Sequence, residues 1–295
     1  WWIGLAAILL LGVSAYRYYR AYMFSRLPLQ LAIVYSVSLM AVSLLVMLQG
    51  EMWKISWWLY HIYLLGAMVA MVAGILVQYG ATSSLTAAMR VLYTTDVVER
   101  ITTALPPSIK ALMIATEKKD TYTAGHNLRV TLYALKLAEE LGLRPDQQRA
   151  LAQGTIVHDV GKMAIPDSIL NKAGRLTKEE REIIEQHPVN GYDMCRQIGF
   201  MKDELDIIRH HHERWDGAGY PDGLKGKQIP YKARICAVVD AFDSMTSDRH
   251  YRERKLTMAE AKLELHQHRE TQFDPEVVDA LMELSDEMLN IYSIM

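Results

Sequence analysis

Apolar residues fill the first third of the chain in runs too long for a half-buried helix. After about residue 80 the pattern changes to short amphipathic stretches broken by charge. Residues 1–16, 27–50 and 55–89 carry no charged side chain. The last two runs each hold about 20 apolar positions, enough to cross a bilayer as a helix, and predict two full membrane spans; the first predicts a partial one. Trp57, Trp58, Tyr60 and Tyr63 cluster at one end of the third run, as aromatic rings do at a membrane–water interface. His61 lies in that belt and is read as interfacial rather than as a ligand. Arg17, Arg20 and Arg26 are expected in the first connecting loop, which the excess of positive charge places in the cytoplasm. The third span then runs inward and delivers everything after residue 80 to the cytosol.

Residues 81–116 read as a helical linker. Leu85, Met89 and Leu92 make one short apolar seam and Val98, Ile101 and Leu105 another, out of register across Asp96, and Pro106-Pro107 interrupts the run. From 117 to 295 helix signals recur. A helix is predicted from His126 to a stop at Gly142, Thr177 to Glu180 and Thr257 to Glu260 have capping-box spacing, and Asp274-Pro275 opens a last helix. Leu128, Leu132 and Leu135 recur on one helical face, and no strand-type alternation is found. The fold expected is therefore all-α: membrane helices over 1–80, the linker, and a helical globule over 117–295 with one Gly- and Pro-rich loop from about Asp216 to Tyr231.

Charge separates the two parts. Residues 1–80 carry four basic side chains (Arg17, Arg20, Arg26, Lys54) against one acidic (Glu51), whereas the remainder carries 28 basic against 33 acidic. An acidic domain is a poor partner for DNA or RNA polymers, whose binding rests on phosphate neutralisation, but it leaves room for a small anion held by metal ions. Cys195 and Cys236 lack metal or redox spacing and are expected as free thiols. The first residue is Trp, so further sequence is expected upstream.

Nine of the ten histidines fall beyond the apolar third. His158 and Asp159 are adjacent in an HDVGK string, and His211-His212-Glu213 runs into Asp216-Gly-Ala-Gly-Tyr220-Pro221. Buried imidazoles and carboxylates are costly unless their lone pairs are held. His126, His158, Asp159, His187, His211, His212 and Asp240 are the candidate metal ligands; the mixed nitrogen and oxygen donors, without thiolate, suit Fe, Mn or Zn better than Ca or Mg. On a helix, His158 and Asp159 project about 100° apart, which lets the carboxylate serve two ions while the imidazole serves one. Two such ions acidify a shared water for attack on a phosphodiester, and Lys162 offsets charge on the phosphoryl oxygens. His210 adjoins the pair, and a shifted assignment to His210 and His211 stays open, although the HHExxDG spacing favours His211 and His212. Asp243 is read as orienting a ligand, Glu213 and Asp216 as shaping the loop, and His250, His266 and His268 as surface or helix-end residues.

Together HDVGK, HHERWDGAGYP, VVDAFDSMTSDRHYR and the upstream DTYTAGHNLRV resemble the HD-GYP subgroup of the HD phosphohydrolase superfamily, over residues 117 to about 285. The resemblance implies hydrolysis of the bacterial second messenger cyclic di-GMP to pGpG or GMP, with non-haem iron or manganese; with the apolar spans, the expectation is an enzyme anchored in the cytoplasmic membrane. It further implies that His126, His158, Asp159 and Asp240 hold one ion and Asp159, His187, His211 and His212 the other. Asp159 and Lys162 are the expected catalytic residues, with Lys162 beside the phosphate and the bridging hydroxide; Arg249 and Arg252 are expected on the substrate phosphates, and Tyr220 at the border of the pocket as a further substrate contact. Some members carry a carboxylate one turn before the first ligand histidine, helping to hold a third metal; this chain has Tyr122, so two ions are expected. Competing readings are an HD hydrolase of another cyclic dinucleotide such as cyclic GMP-AMP, or of a mononucleotide, and a catalytically silent nucleotide receptor. A homodimer and partner signalling domains are compatible with the tether and linker.

Overall fold

The computed structural model describes residues 1–82, 105–120, 125–172, 174–247, 254–286 and 289. Among them every regular element is helical, apart from one isolated bridge between Arg269 and Phe273. The chain divides into two compact units, Trp1–Ala104 and Leu105–Met295.

The first unit holds α1 (Trp2–Ser25), α2 (Pro28–Gln49) and α3 (Ile55–Thr82). All three are long and apolar enough to cross a membrane, including α1, expected from sequence to be a partial span. The difference arises because Arg17 and Arg20 lie within α1 rather than in the loop, leaving only Arg26, in a left-handed conformation, and Leu27 to make the turn. An arginine near a helix end can extend its charge to the interface while its stem stays in hydrocarbon. Leu9, Leu10, Val69, Val72 and Leu76 face outward, as side chains meeting lipid do. Apolar contact drives no association in such surroundings, so close backbone approach must supply it. A Cβ on Gly74 would stand 2.1 Å from that of Ala32, and Ser43 donates from Oγ to the Tyr60 carbonyl at 2.8 Å.

The second unit comprises α4 (Pro107–Lys119), α5 (His126–Glu140), α6 (Pro145–Thr155), a 3-10 turn (Val160–Ala164), α7 (Asp167–Leu170), α8 (Lys178–Ile184), α9 (His187–Gln197), α10 (Lys202–His210), α11 (Tyr231–Thr246), α12 (Met258–Gln267) and α13 (Pro275–Glu283). The first of these, α4, falls largely in the stretch read as linker, and it packs against the 3-10 turn. The remaining positions of the two apolar seams upstream of Leu105 lie outside the described residues. Around α5 lie α6, α11 and α13. The core takes Val130, Tyr133, Ala134 and Leu137 of α5, with Ile235, Val239 and Phe242 of α11 and Val278 and Leu281 of α13. Leu132 and Leu135 are buried as well, so α5 is enclosed on most sides rather than along one stripe. Burying each such side chain contributes roughly 1.5–3 kcal/mol. Tyr133 and Phe242 meet edge to face at 5.2 Å.

Local signals set the helix starts. Thr177 and Thr257 each cap through a hydroxyl that accepts from the N–H three residues on, while Glu180 and Glu260 return the bond. Asp274 caps α13, with Pro275 as its first residue. Cys195 and Cys236 are buried free thiols.

Candidate metal centre

Each candidate ligand sits at an element end or in a turn, except Asp240, which lies within α11. His126 opens α5 after Gly125, whose φ of 70° suits glycine. His187 opens α9 ahead of Pro188, and His211 and His212 follow the last turn of α10. His158 and Asp159 are not helical, contrary to expectation: they occupy the turn between α6 and the 3-10 turn. The reason lies two residues on, where Gly161 presses against α9. A Cβ there would lie 1.9 Å from the His187 carbonyl oxygen and 2.5 Å from the Gly191 nitrogen. Bringing backbones that close draws Asp159 up to His187.

The seven side chains form two groups, Asp159 with His187, His211 and His212, and His126 with His158 and Asp240, each with candidate ligand atoms within 4.8 Å of one another. Asp159 faces both. Its Oδ1 is 3.3 Å from His187 Nε2 and 4.0 Å from His211 Nε2, and its Oδ2 is 3.6 Å from His158 Nε2. Asp240 Oδ1 lies 3.2 Å from His126 Nε2 and 4.0 Å from His158 Nε2. His210, the alternative to His212, is in neither group; its Nε2 and Nδ1 meet Asp222 at 3.0 Å and the Asp206 carbonyl at 2.9 Å.

Hydrogen bonding shows what these groups suit. Nδ1 of His158, His187 and His211 pairs with the carbonyls of Thr155, Ile184 and Ile208 at 2.7, 2.8 and 2.9 Å. Donation there leaves Nε2 of each neutral ring as a bare lone pair. Yet His158 Nε2 is buried with no hydrogen-bond partner, and Nε2 of His187 and His211 face each other at 3.3 Å. Burial pushes His158 below its ordinary value, and burial with the neighbouring imidazoles pushes His211 further. His212 is driven down to about 3 by burial and by His187. His158, His211 and His212 are therefore neutral acceptors near pH 7, and a bare or confronted ring nitrogen in this setting carries a cost that a cation removes. Asp159 stays ionised: burial opposes its charge, but Lys162 and the histidines hold it well below the carboxylate range. The residues fit divalent metal ions.

A second layer supports the ligands. Although burial disfavours a charged ring, Asp240 and Asp243 lift His126 to about 9. Asp243 Oδ2 lies 2.7 Å from His126 Nδ1, and its Oδ1 accepts from Arg129 Nε at 2.7 Å. Lys162 Nζ donates to Asp159 Oδ2 at 2.7 Å and to Asp120 Oδ2 at 3.1 Å. Sequence reasoning did not single out Asp120; it belongs to the DTYTAGH string, but its partner is 42 residues away. Tyr220 stands beside His212, with ring centroids 4.9 Å apart. Arg249, Arg252, Tyr122 and His250 lie outside the described residues. His266 and His268 are exposed at the end of α12.

The profile of the HD domain family matches residues 110–277. The chain is 42% identical over 177 residues to the cyclic di-GMP phosphodiesterase response regulator RpfG of Xanthomonas campestris pv. campestris, covering 59% of this chain and 47% of that protein. It is 37% identical over 186 residues to a cyclic di-GMP phosphodiesterase of Thermotoga maritima, covering 62% and 50%. It is also 36% identical over 179 residues to 3'3'-cGAMP-specific phosphodiesterase 2 of Vibrio cholerae, covering 60% and 34%. The chain thus spans half or less of the length of these relatives.

Proposed function

The chain belongs to the HD domain family, and on that premise we propose that its second unit is a metal-dependent phosphodiesterase that hydrolyses cyclic di-GMP, tethered to the cytoplasmic membrane by α1 to α3. One observation carries this reading: seven imidazole and carboxylate side chains from separate elements converge as two adjacent groups, with Asp159 facing both and Lys162 at its side. His126, His158 and Asp240, with Asp159, would hold one ion, and Asp159, His187, His211 and His212 the other. Iron or manganese suits this donor set. Bound there, the pair supplies an acidified water as nucleophile and charge to offset that building on the phosphoryl oxygens.

The chain's own groups do the rest. Lys162 is half-buried, and partial desolvation disfavours its charge, yet Asp159 and Asp120 hold its proton more firmly than usual. Its role is therefore to bind a phosphate oxygen rather than to give up a proton. Asp243, itself held by Arg129, fixes the ring plane of His126. Arg249 and Arg252 are assigned to the substrate phosphates. Arg17, Arg20 and Arg26 at the α1–α2 end orient the tether with that end in the cytoplasm.

The likeness to a cGAMP-specific phosphodiesterase favours one second reading, hydrolysis of 3'3'-cyclic GMP-AMP. The deciding experiment incubates the purified, metal-loaded chain with cyclic di-GMP, 3'3'-cyclic GMP-AMP and pGpG. Faster turnover of cyclic di-GMP is expected. A preference for cyclic GMP-AMP replaces the substrate, and tight binding without turnover makes the protein a receptor.

A further inference from the structure

Four of the five histidines in the two groups have their outer ring nitrogen tied down. His126 pairs with Asp243, and His158, His187 and His211 pair with backbone carbonyls. His212 differs: neither of its ring nitrogens has a hydrogen-bond partner among the described residues. Its imidazole packs instead against other rings, with His187 5.0 Å away edge-on at 79°. Tyr220 stands 4.9 Å from it with planes 34° apart, and His211 stands 4.2 Å from it at 45°.

Tyr220 is itself fixed by the segment that carries His212. Its N–H donates to the His212 carbonyl at 3.3 Å. The residue before it must be glycine, because a Cβ on Gly219 would stand 2.3 Å from the Arg214 nitrogen and 2.6 Å from the His212 carbonyl oxygen. Beyond Tyr220, the buried Glu213 carboxylate accepts from the Asp222 N–H at 2.8 Å with one oxygen and from the Leu224 N–H at 3.0 Å with the other. Asp222 in turn accepts from Arg209 at 2.8 and 2.7 Å. Charge-assisted bonds of this kind are about twice as strong as neutral ones. The loop is therefore fastened on both sides of Tyr220 to residues 209–214.

We propose that Tyr220 is the positioning residue for His212: its ring face sets the imidazole plane, as a hydrogen bond does for the other four, and the Glu213 carboxylate is the clamp that keeps Tyr220 in place. This rests on the metal-binding reading above. It gives Tyr220 a part in assembling the centre, distinct from the substrate contact expected from sequence. The hydroxyl is not needed for it; the ring is.

The test titrates the whole 295-residue chain, stripped of metal and held in detergent, with Co2+, whose visible absorption reports the ligand field. The unaltered chain should take up two ions. Tyr220→Ala should weaken one of them by about tenfold or more, the range seen when a ligand loses its outer support, and change the absorption of that ion only. Tyr220→Phe should restore both. Glu213→Gln, which keeps the shape but loses one of two acceptors, should shift the same ion in the same direction by less, and it carries the test if Tyr220→Ala fails to fold by circular dichroism. Two ions at undiminished affinity in Tyr220→Ala, with KM for cyclic di-GMP raised, overturn the proposal and return Tyr220 to substrate contact. Failure of Tyr220→Phe overturns ring stacking as the cause. An unaltered chain that takes up no Co2+ overturns the metal reading itself.

Discussion

Asp159 is the side chain that faces both groups of candidate ligands, since one carboxylate meets His158, His187, His211 and Lys162. Asp159→Ala is expected to abolish hydrolysis and to lower metal content, measured by elemental analysis, while the helical circular dichroism is kept. Unchanged turnover would falsify the two-ion mechanism. The shifted histidines also set a pH dependence for the metal-free chain. His126 titrates at about 9 in the fold against 6.5 unfolded, so its contribution is complete below pH 6.5 and lost as pH rises towards 9. His212 titrates at about 3, so between pH 3 and 6.5 the unfolded chain binds the extra proton and stability falls as pH drops. Melting of the metal-stripped chain should therefore peak near pH 6.5. The His126 effect, of order 3 kcal/mol, corresponds to about 5–10 °C in Tm for a domain of this size. A monotonic rise with pH in calorimetry would contradict it. At this scale the convergence of these imidazoles and carboxylates was legible because adjacent His-Asp and His-His pairs are unusual as filler. The Lys162 to Asp120 contact was not, because nothing local joins residues so far apart.

Elements show the same division between near and far. The starts of α8, α12 and α13 could be read from Thr177, Thr257 and Asp274, because a cap is settled within four residues. The non-helical setting of His158-Asp159 could not, since it follows from contact between Gly161 and a helix some 26 residues on. Gly161→Ala is expected to push the 3-10 turn off α9 and separate Asp159 from His187, so that metal content falls with only one methyl group added; full occupancy by elemental analysis would mean that the contact is not required. The caps should differ in weight. Thr177→Ala removes an exposed cap and should cost about 1 kcal/mol. Asp274→Ala removes a cap and also the buried partner of Arg234, and should cost about 3–5 kcal/mol. Denaturant unfolding of the second unit's transition measures both, and equal costs would show that the ion pair adds nothing.

Across the whole molecule, the division into an apolar and a charged part was the most legible feature, because about 20 uninterrupted apolar residues have few other uses. The extent of α1 is not legible, because arginines at 17 and 20 mark the end of a span in sequence whereas both lie within the helix. The chain is expected to remain in the membrane pellet after alkaline carbonate extraction, and its release by carbonate would argue against the tether. The confronted nitrogens of His187 and His211, with the solitary one of His158, have a consequence for how long the protein survives. Whatever binds only the native state deepens its well, and its withdrawal enlarges the fraction open to proteases. Cells deprived of the divalent metal that these groups fit should accordingly clear this polypeptide faster, so that scarcity lowers the number of copies.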